Sequence, residues 1–291
     1  MALPDWIRPE AEKTLKRLLP RIEDRFTDRI RAPEAGWQDF AARLGRHFPA
    51  LFAELHAMYG WQYDFFHTLE RVLALLAQSW LDRSVDLKDL DRAREGTPEW
   101  FCAEEMVGGV LYVDLFSDRL ARLHEHIPYF KQLGLTYLHL MPLFAVPHGD
   151  NDGGYAVSDY RAVNPDIGSM AELAALARVL RAEGISLALD FVLNHTSDDH
   201  VWARRAREGD PEHQAFFHMF SDRTLPDRYQ QNLREIFPTV RRGSFTWVAD
   251  VERWVWTTFN SFQWDLNYGN PDVLCAMADE MLFLANQGVE V

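Results

Sequence analysis

From Val107 onward the sequence alternates short apolar runs with amphipathic stretches of helical period, and this alternation limits the possible folds more than any other feature. Val110 to Phe116 reads as a buried strand, Leu120 to Gln132 as a helix closed by Gly134, and Leu135 to Leu143 as a second strand. Ser169 to Glu172 forms a capping box: the hydroxyl can accept the third helical N–H while the carboxylate reaches back, and Gly184 supplies the stop. Between cap and stop, Met170, Leu173, Leu176 and Leu180 make one apolar face, and Ile185 to Leu193 follows as a third strand with Asp190 near its end. Strands and helices in this order imply parallel βα units with right-handed crossovers, hence an α/β fold.

The next helix is delayed to Pro271–Asn286, with Asn270 as its cap and Gly288 as its stop. The stretch between, His195 to Gly269, is too long for an ordinary loop and reads as an inserted subdomain. Gly288 to Val291 starts a fourth strand. A parallel edge left open there would expose backbone groups that a closed eight-stranded barrel buries, so the expectation is the N-terminal part of a longer chain. A short open α/β fold is the other arrangement.

Ahead of this region the period is helical. Phe40, Leu44, Phe48, Leu51, Phe52 and Leu55 form one stripe, and Phe66, Leu69, Val72, Leu73, Leu76 and Trp80 another. With Trp6 to Phe26 they suggest a small helical bundle, bounded by the charged stretch Asp82 to Gly96. The expected division is therefore a helical domain over 1–95, a partial barrel over 96–194 and 270–291, and an inserted subdomain over 195–269. Such a division suits 291 residues, about twice the usual domain length.

Composition narrows the function classes. A net charge of −14 would repel a phosphate backbone and argues against nucleic acid as the partner. The two cysteines, Cys102 and Cys275, lie far apart in apolar settings and read as buried free thiols. No basic start precedes an apolar run, and no apolar stretch of about 18 residues occurs, so a cytoplasmic chain with no membrane partner is expected. Phosphate-loop, dinucleotide, zinc-protease and esterase motifs are missing, and no cofactor is expected. Asp150-Asn151-Asp152-Gly153 resembles only the start of a calcium loop, so no metal is assigned.

Two segments fall where parallel α/β proteins bind ligands, at the carboxyl rim of the strands. Asp190 to His195 ends the third strand with a carboxylate, an amide and an imidazole; a satisfied polar strand end would look the same. Asp152-Gly153-Gly154-Tyr155 follows the second strand, where paired glycines allow close backbone approach and a tyrosine beside a carboxylate suits a sugar ring. A glycine turn with a packed tyrosine is the plainer reading. From Trp254 to Trp264, Trp254, Trp256, Phe259, Phe262 and Trp264 are interleaved with hydroxyl and amide residues, a mixture that serves either a sugar pocket or a core.

These segments resemble the signatures of the α-amylase superfamily of glycoside hydrolases and transglycosylases. Asp190 to His195 is similar to its third-strand signature and Gly154 to Tyr160 to its second-strand signature. Gln263-Trp264-Asp265-Leu266-Asn267 is similar to the signature near the end of its inserted domain, where many members carry Pro in place of Trp264. The helical N-terminal region, Val107 to Phe116, the loop Asp152 to Tyr155 and Trp254 to Tyr268 look most like amylosucrases.

The resemblance implies an N-terminal helical domain followed by the first part of a (β/α)8 barrel, with a subdomain inserted after strand three and the chain ending at the start of strand four. It implies a retaining enzyme that transfers glucose from sucrose to an α-1,4-glucan and releases fructose. Carried over by position, Tyr155 would stack under the glucosyl ring and His195 would donate to its hydroxyl. Asp152 would help close the pocket by pairing with an arginine much later in the chain, and Phe259 would line it. Asp190, Asn194, Gln263 and Asp265 would be scaffold residues. A retaining mechanism needs two carboxyl groups roughly 5 Å apart; the resemblance sets them beyond Val291, so the 291-residue chain alone is expected to be inactive. A sucrose hydrolase or α-glucosidase is the nearest alternative, and a non-catalytic sugar-binding remnant the alternative of another class.

Overall fold

The computed structural model describes residues 4–32 and 35–291, which form two units. One runs to Thr97 and takes in Leu274–Asn286; the other comprises Pro98–Val273 and Gln287–Val291.

The first unit is helical: α1 (Ile7–Arg25), α2 (Thr27–Ile30), α3 (Trp37–Tyr59), α4 (Phe65–Asp82) and α5 (Val85–Glu95). Ile22 of α1, Phe48, Phe52 and Leu55 of α3, and Leu69 and Leu73 of α4 share one core with Cys275. Each large side chain so buried contributes roughly 1.5–3 kcal/mol. Phe66 does not join this core: it is 57% exposed, and its neighbour Phe65 is buried instead. The buried face of α4 runs Phe65, Leu69, Val72, Leu73 and Trp80, and Phe66 lies about 100° round the helix from Phe65. The charged stretch Asp82 to Gly96 carries α5, whose Asp91 takes a two-pronged pair from Arg83 (2.7 and 2.8 Å).

The second unit opens with β1 (Gly108–Leu111), α6 (Val113–Ser117), α7 (Leu120–Gln132), β2 (Tyr137–Leu140), β3 (Phe144–Ala145), β4 (Asp159–Val163), α8 (Met170–Ala182) and β5 (Ser186–Leu189). Strands β1, β2 and β5 form a parallel sheet in that order, with Gly108 opposite Tyr137 and Tyr137 opposite Ser186. The final residues extend it: Glu290 N–H donates to the Leu187 carbonyl at 2.9 Å and Leu189 N–H to the Val291 carbonyl at 3.1 Å.

The first strand is shorter and less buried than its sequence suggests. It ends at Leu111, Val110 is 62% exposed, and Val113–Ser117 coils into α6, where Ser117 Oγ donates to the Val113 carbonyl. A short apolar run cannot by itself distinguish a strand from a helical turn. The other strands also stop early, β2 at Leu140 and β5 at Leu189, with single backbone bonds just beyond them, from the Met141 N–H to the Leu111 carbonyl at 2.9 Å and from the Asp190 N–H to the Leu140 carbonyl at 3.3 Å. The α8 capping box is present, but the Glu172 carboxylate meets the Ser169 hydroxyl at 2.9 Å. Cys275 is buried whereas Cys102 is exposed: Phe101 packs on Tyr137, with ring centroids 5.3 Å apart, and the single turn Trp100–Cys102 leaves the thiol outside.

After β5 come β6 (His195–Ser197), α9 (Val201–Arg207), α10 (Pro211–Gln214), β7 (Met219–Phe220), α11 (Thr224–Gln230), β8 (Phe245–Val248), β9 (Arg253–Trp256), β10 (Gln263–Asp265) and α12 (Pro271–Asn286). Strands β7, β9 and β8 make an antiparallel sheet in that order. Strand β10 returns antiparallel to β6 and sets Asp265 opposite His195. At α12, Asn270 Oδ1 accepts from the Asp272 N–H at 3.0 Å, as its sequence predicts. No helix among the described residues is long and apolar enough to cross a membrane.

Candidate sugar-binding site

The loop ahead of β4 is shaped by three successive residues at positive φ: Asp152 (54°), Gly153 (66°) and Gly154 (97°). Gly154 is required on two counts. Its backbone lies in the left-handed region, and a Cβ there would stand 2.9 Å from Pro142 Cβ and 3.0 Å from the Pro142 carbonyl oxygen. Asn151 closes the turn by accepting from the Gly154 N–H at 3.1 Å. Asp152 and Tyr155 are thereby presented together.

They open onto a pocket of about 500 Å³. Asp152, Gly153 and Tyr155 line it from this loop, His195 from the start of β6, Tyr112 from the end of β1, and Phe237 and Phe259 from the insertion. All four residues assigned to substrate from the sequence, Asp152, Tyr155, His195 and Phe259, meet there. The Phe259 ring stands 5.1 Å from the His195 ring and 6.3 Å from Phe237.

His195 is 4% exposed and has both ring nitrogens engaged. Nε2 lies 3.1 Å from the Tyr155 carbonyl, which can only accept, and Nδ1 lies beside the Asn194 amide nitrogen, which can only donate, so these two contacts together place the hydrogen on Nε2, with the Gln263 amide nitrogen near Nε2 left to donate elsewhere. Nδ1 then accepts from the Asn194 amide at 3.2 Å. Burial lowers the imidazole pKa to about 4, against the opposing pull of the Tyr155 carbonyl and Asp152, so the ring is neutral at pH 7.

The residues assigned as scaffold surround this group. The Gln263 amide nitrogen lies 3.0 Å from His195 Nε2 and donates to Asp152 Oδ2 at 3.1 Å, while Gln263 Oε1 accepts from the Asn260 backbone N–H at 2.9 Å. Asp265 is buried and accepts from the Thr258 N–H (2.9 Å) and hydroxyl; burial pushes its carboxyl upward against those hydrogen bonds. Asp190 sits 3.5 Å from both the Tyr155 hydroxyl and His139 Nε2. Burial, and then the Asp190 charge, raise the Tyr155 phenol pKa, so it remains protonated. Among the described residues, no group of three or more His, Cys, Asp or Glu side chains could hold a metal ion.

Tyr112 and Phe237 are lining residues that the sequence reading did not single out. Tyr112 follows the last residue of β1, a rim position that the strand's true end would have revealed. Phe237 lies in a stretch without regular structure, where no period marks it.

An apolar pocket with a few convergent polar groups, rimmed by a carboxylate, an imidazole and an aromatic face, suits a neutral polyhydroxylated ligand. Comparison with known proteins agrees in family. The alpha-amylase catalytic domain model matches residues 118–290. Trehalose synthase of Pimelobacter sp. is 34% identical over 200 residues, covering 66% of this chain and 34% of that protein. Trehalose synthase/amylase TreS of Mycolicibacterium smegmatis is 34% identical over 171 residues, covering 59% of this chain and 28% of that protein. The crystal structure of a MutB mutant in complex with the substrate sucrose shares the fold, with a TM-score of 0.56 at 24% identity over 66% of this chain and 34% of its own. This chain thus spans about a third of the length of these proteins. Its parallel βα units are the first part of a (β/α)8 barrel preceded by a helical region, and the chain belongs to the alpha-amylase catalytic-domain family.

Proposed function

We propose that this chain forms the front part of a sucrose-utilising glucosyltransferase, which passes glucose from sucrose to an α-1,4-glucan and releases fructose by retaining double displacement. The observation that carries the reading is the convergence of Asp152, Tyr155, His195 and Phe259 on one pocket from separate stretches of sequence. The resemblance of the N-terminal helices, the Asp152 loop and Trp254 to Tyr268 to amylosucrases favours this reaction within the family.

In this reading the residues of the chain bind and orient the sugar while bond cleavage rests with the carboxyl pair such a mechanism needs. Tyr155 supplies a ring face for the glucosyl unit. His195 exchanges its Tyr155 carbonyl partner for a sugar hydroxyl, a trade of one hydrogen bond for another. Asp152, held by Gln263, accepts from a second hydroxyl, and Phe259 excludes water on the far side. Asn194, Gln263 and Asp265 keep the imidazole and the Asp152 carboxylate in place, and Asp190 steadies Tyr155.

The test is product analysis of the complete protein with sucrose, with and without an α-glucan. Fructose release matched by glucan lengthening supports the reading. Equal glucose and fructose would make it a hydrolase instead, and unconsumed sucrose would leave sugar binding without catalysis.

A further inference from the structure

The helical unit carries a pocket of about 310 Å³ whose lining residues all belong to that unit. Its size follows from two small residues: Ser79 of α4 and Ala285 of α12 stand where larger side chains would fill the gap. The surroundings hold that gap open. The Asn286 side-chain amide donates to the Ser79 carbonyl at 2.9 Å and to its hydroxyl at 3.2 Å, and Arg83 donates to the Ala285 carbonyl at 2.9 Å. The wall behind is apolar, with Phe40, Leu44 and Trp80 all buried.

The charged groups of the pocket are not equivalent. Arg83 is committed: its Nε and Nη2 hold Asp91 at 2.7 and 2.8 Å, which also neutralises that carboxylate. Arg43 of α3 is less engaged. Of its five N–H groups, only two face carboxylates, Nε at 3.1 Å from Glu95 and Nη1 at 3.6 Å from Asp91, so donors remain for a ligand. Its guanidinium carbon lies 5.3 Å from the Trp80 ring centroid, which sets those donors at the border of the apolar wall. Arg46 in turn pairs with Glu95 at 2.6 Å. The linked group of Arg43, Arg46, Arg83, Asp91 and Glu95 therefore carries one more positive charge than negative, in a chain whose net charge is −14.

We propose that this pocket binds a small amphipathic monoanion, an aliphatic carboxylate whose chain lies against Phe40, Leu44 and Trp80 and whose head is held by Arg43. The site is independent of the glucosyl-transfer reading. Charge decides the class of ligand. A cationic head would meet Arg43 where both nearby carboxylates already have arginine partners, and a purely apolar guest would leave the Arg43 donors unused at the pocket wall. A carboxylate accepts from that guanidinium as a charge-assisted hydrogen bond while its chain covers apolar surface. A volume of about 310 Å³ is at the lower end for small-molecule pockets, which suits one short chain rather than a two-tailed lipid.

The experiment is isothermal titration of the complete protein with sodium octanoate and with octanamide, its neutral counterpart, in the wild type, Arg43→Gln and Ala285→Leu. The proposal expects one octanoate per chain and octanamide bound about tenfold or more weakly. Arg43→Gln should bring octanoate down to the octanamide level, because the head has lost its partner. Ala285→Leu adds three carbons at the pocket wall and should weaken octanoate by about tenfold or more. No octanoate binding at about 1 mM, equal affinity for octanoate and octanamide, or octanoate binding left unchanged by either variant overturns the proposal. If Ala285→Leu fails to fold, Arg43→Gln decides, since Arg43 belongs to a solvent-accessible ion cluster whose trimming costs little stability. Unchanged octanoate affinity there overturns the proposal, and a fall to the octanamide level supports it.

Discussion

The side-chain amide of Gln263 donates to Asp152 Oδ2 at 3.1 Å, joining residues 111 positions apart. Strand β10 is held to β6 by its backbone, but the loop that carries Asp152 and Tyr155 meets β10 through this side chain. Gln263 is fully buried, and its oxygen is occupied by Asn260, so the amide cannot turn over without losing partners at both ends. Gln263 thus adds a side-chain tie to those the loop already has through Asn151 and through the Tyr155 carbonyl at His195.

Replacing that glutamine tests the point. Gln263→Leu leaves the Asn260 N–H and the Asp152 carboxylate without this partner, and the expected loss of stability is about 1–3 kcal/mol, read from urea unfolding. In the complete protein the same change should raise KM for the donor sugar more than it lowers kcat, because positioning of Asp152 is what is lost. A variant as stable as wild type with unchanged KM would show that the Asp152 loop holds its shape unaided.

Acid sensitivity should follow from two buried imidazoles. Burial lowers the pKa of His195 to about 4 and, with Arg204 and His213 adding to it, that of His200 to about 3, against an ordinary value of 6.5. The unfolded chain therefore binds protons below pH 6.5 that the folded chain refuses. Their stabilisation is complete above pH 6.5 and is lost as pH falls toward 4 for His195 and 3 for His200, each contributing up to about 1.4 kcal/mol per pH unit. Burial raises the Asp198 and Asp265 carboxyls, which act in the opposite sense as pH falls, so the histidine contribution is best read over the window just below pH 6.5 by comparison with His195→Gln. Unfolding midpoints should fall across that window, and less steeply in His195→Gln.

The two glycines after Asp152 should differ in tolerance. Gly153→Ala meets nothing within 4 Å and faces only the cost of its positive φ, about 1 kcal/mol. Gly154→Ala adds a collision with Pro142, so its loss should exceed that of Gly153→Ala and should also weaken sugar binding in the complete protein. Equal melting temperatures for the two variants would mean that the loop yields at Pro142 without cost.

Tyr155 separates a ring effect from a hydroxyl effect. Its hydroxyl makes only a 3.5 Å contact to Asp190, so Tyr155→Phe should leave kcat/KM for sucrose nearly unchanged in the complete protein. Tyr155→Ala removes the ring face proposed for the sugar and should lower kcat/KM by about tenfold or more. Similar losses in both variants would assign the role to the hydroxyl.

Much of this fold is legible because it is written in local patterns. Helices α7 and α12 begin and end where the apolar period, Pro271, Gly134 and Gly288 put them, since caps and stops act over a few residues. The strand ends were harder to read. Apolar residues continue past Leu111 and Leu189, yet pairing stops there, and only the sheet's register decides where. That is why Tyr112, which lines the pocket, has the sequence signature of a strand interior. The gathering of Asp152, Tyr155, His195 and Phe259 was reached through resemblance, because spacing alone cannot bring residues 107 positions apart to one cavity. The Gln263 bridge and Phe237 depend wholly on how the insertion folds back, which no period in the sequence encodes.

The most direct test of the account is a crystal structure of the complete protein soaked with sucrose. The expected result is the glucosyl ring stacked on Tyr155, one hydroxyl within hydrogen-bond reach of His195 Nε2, another near Asp152, and Phe259 against the ring's edge. Sucrose bound elsewhere while this pocket holds only solvent would contradict it.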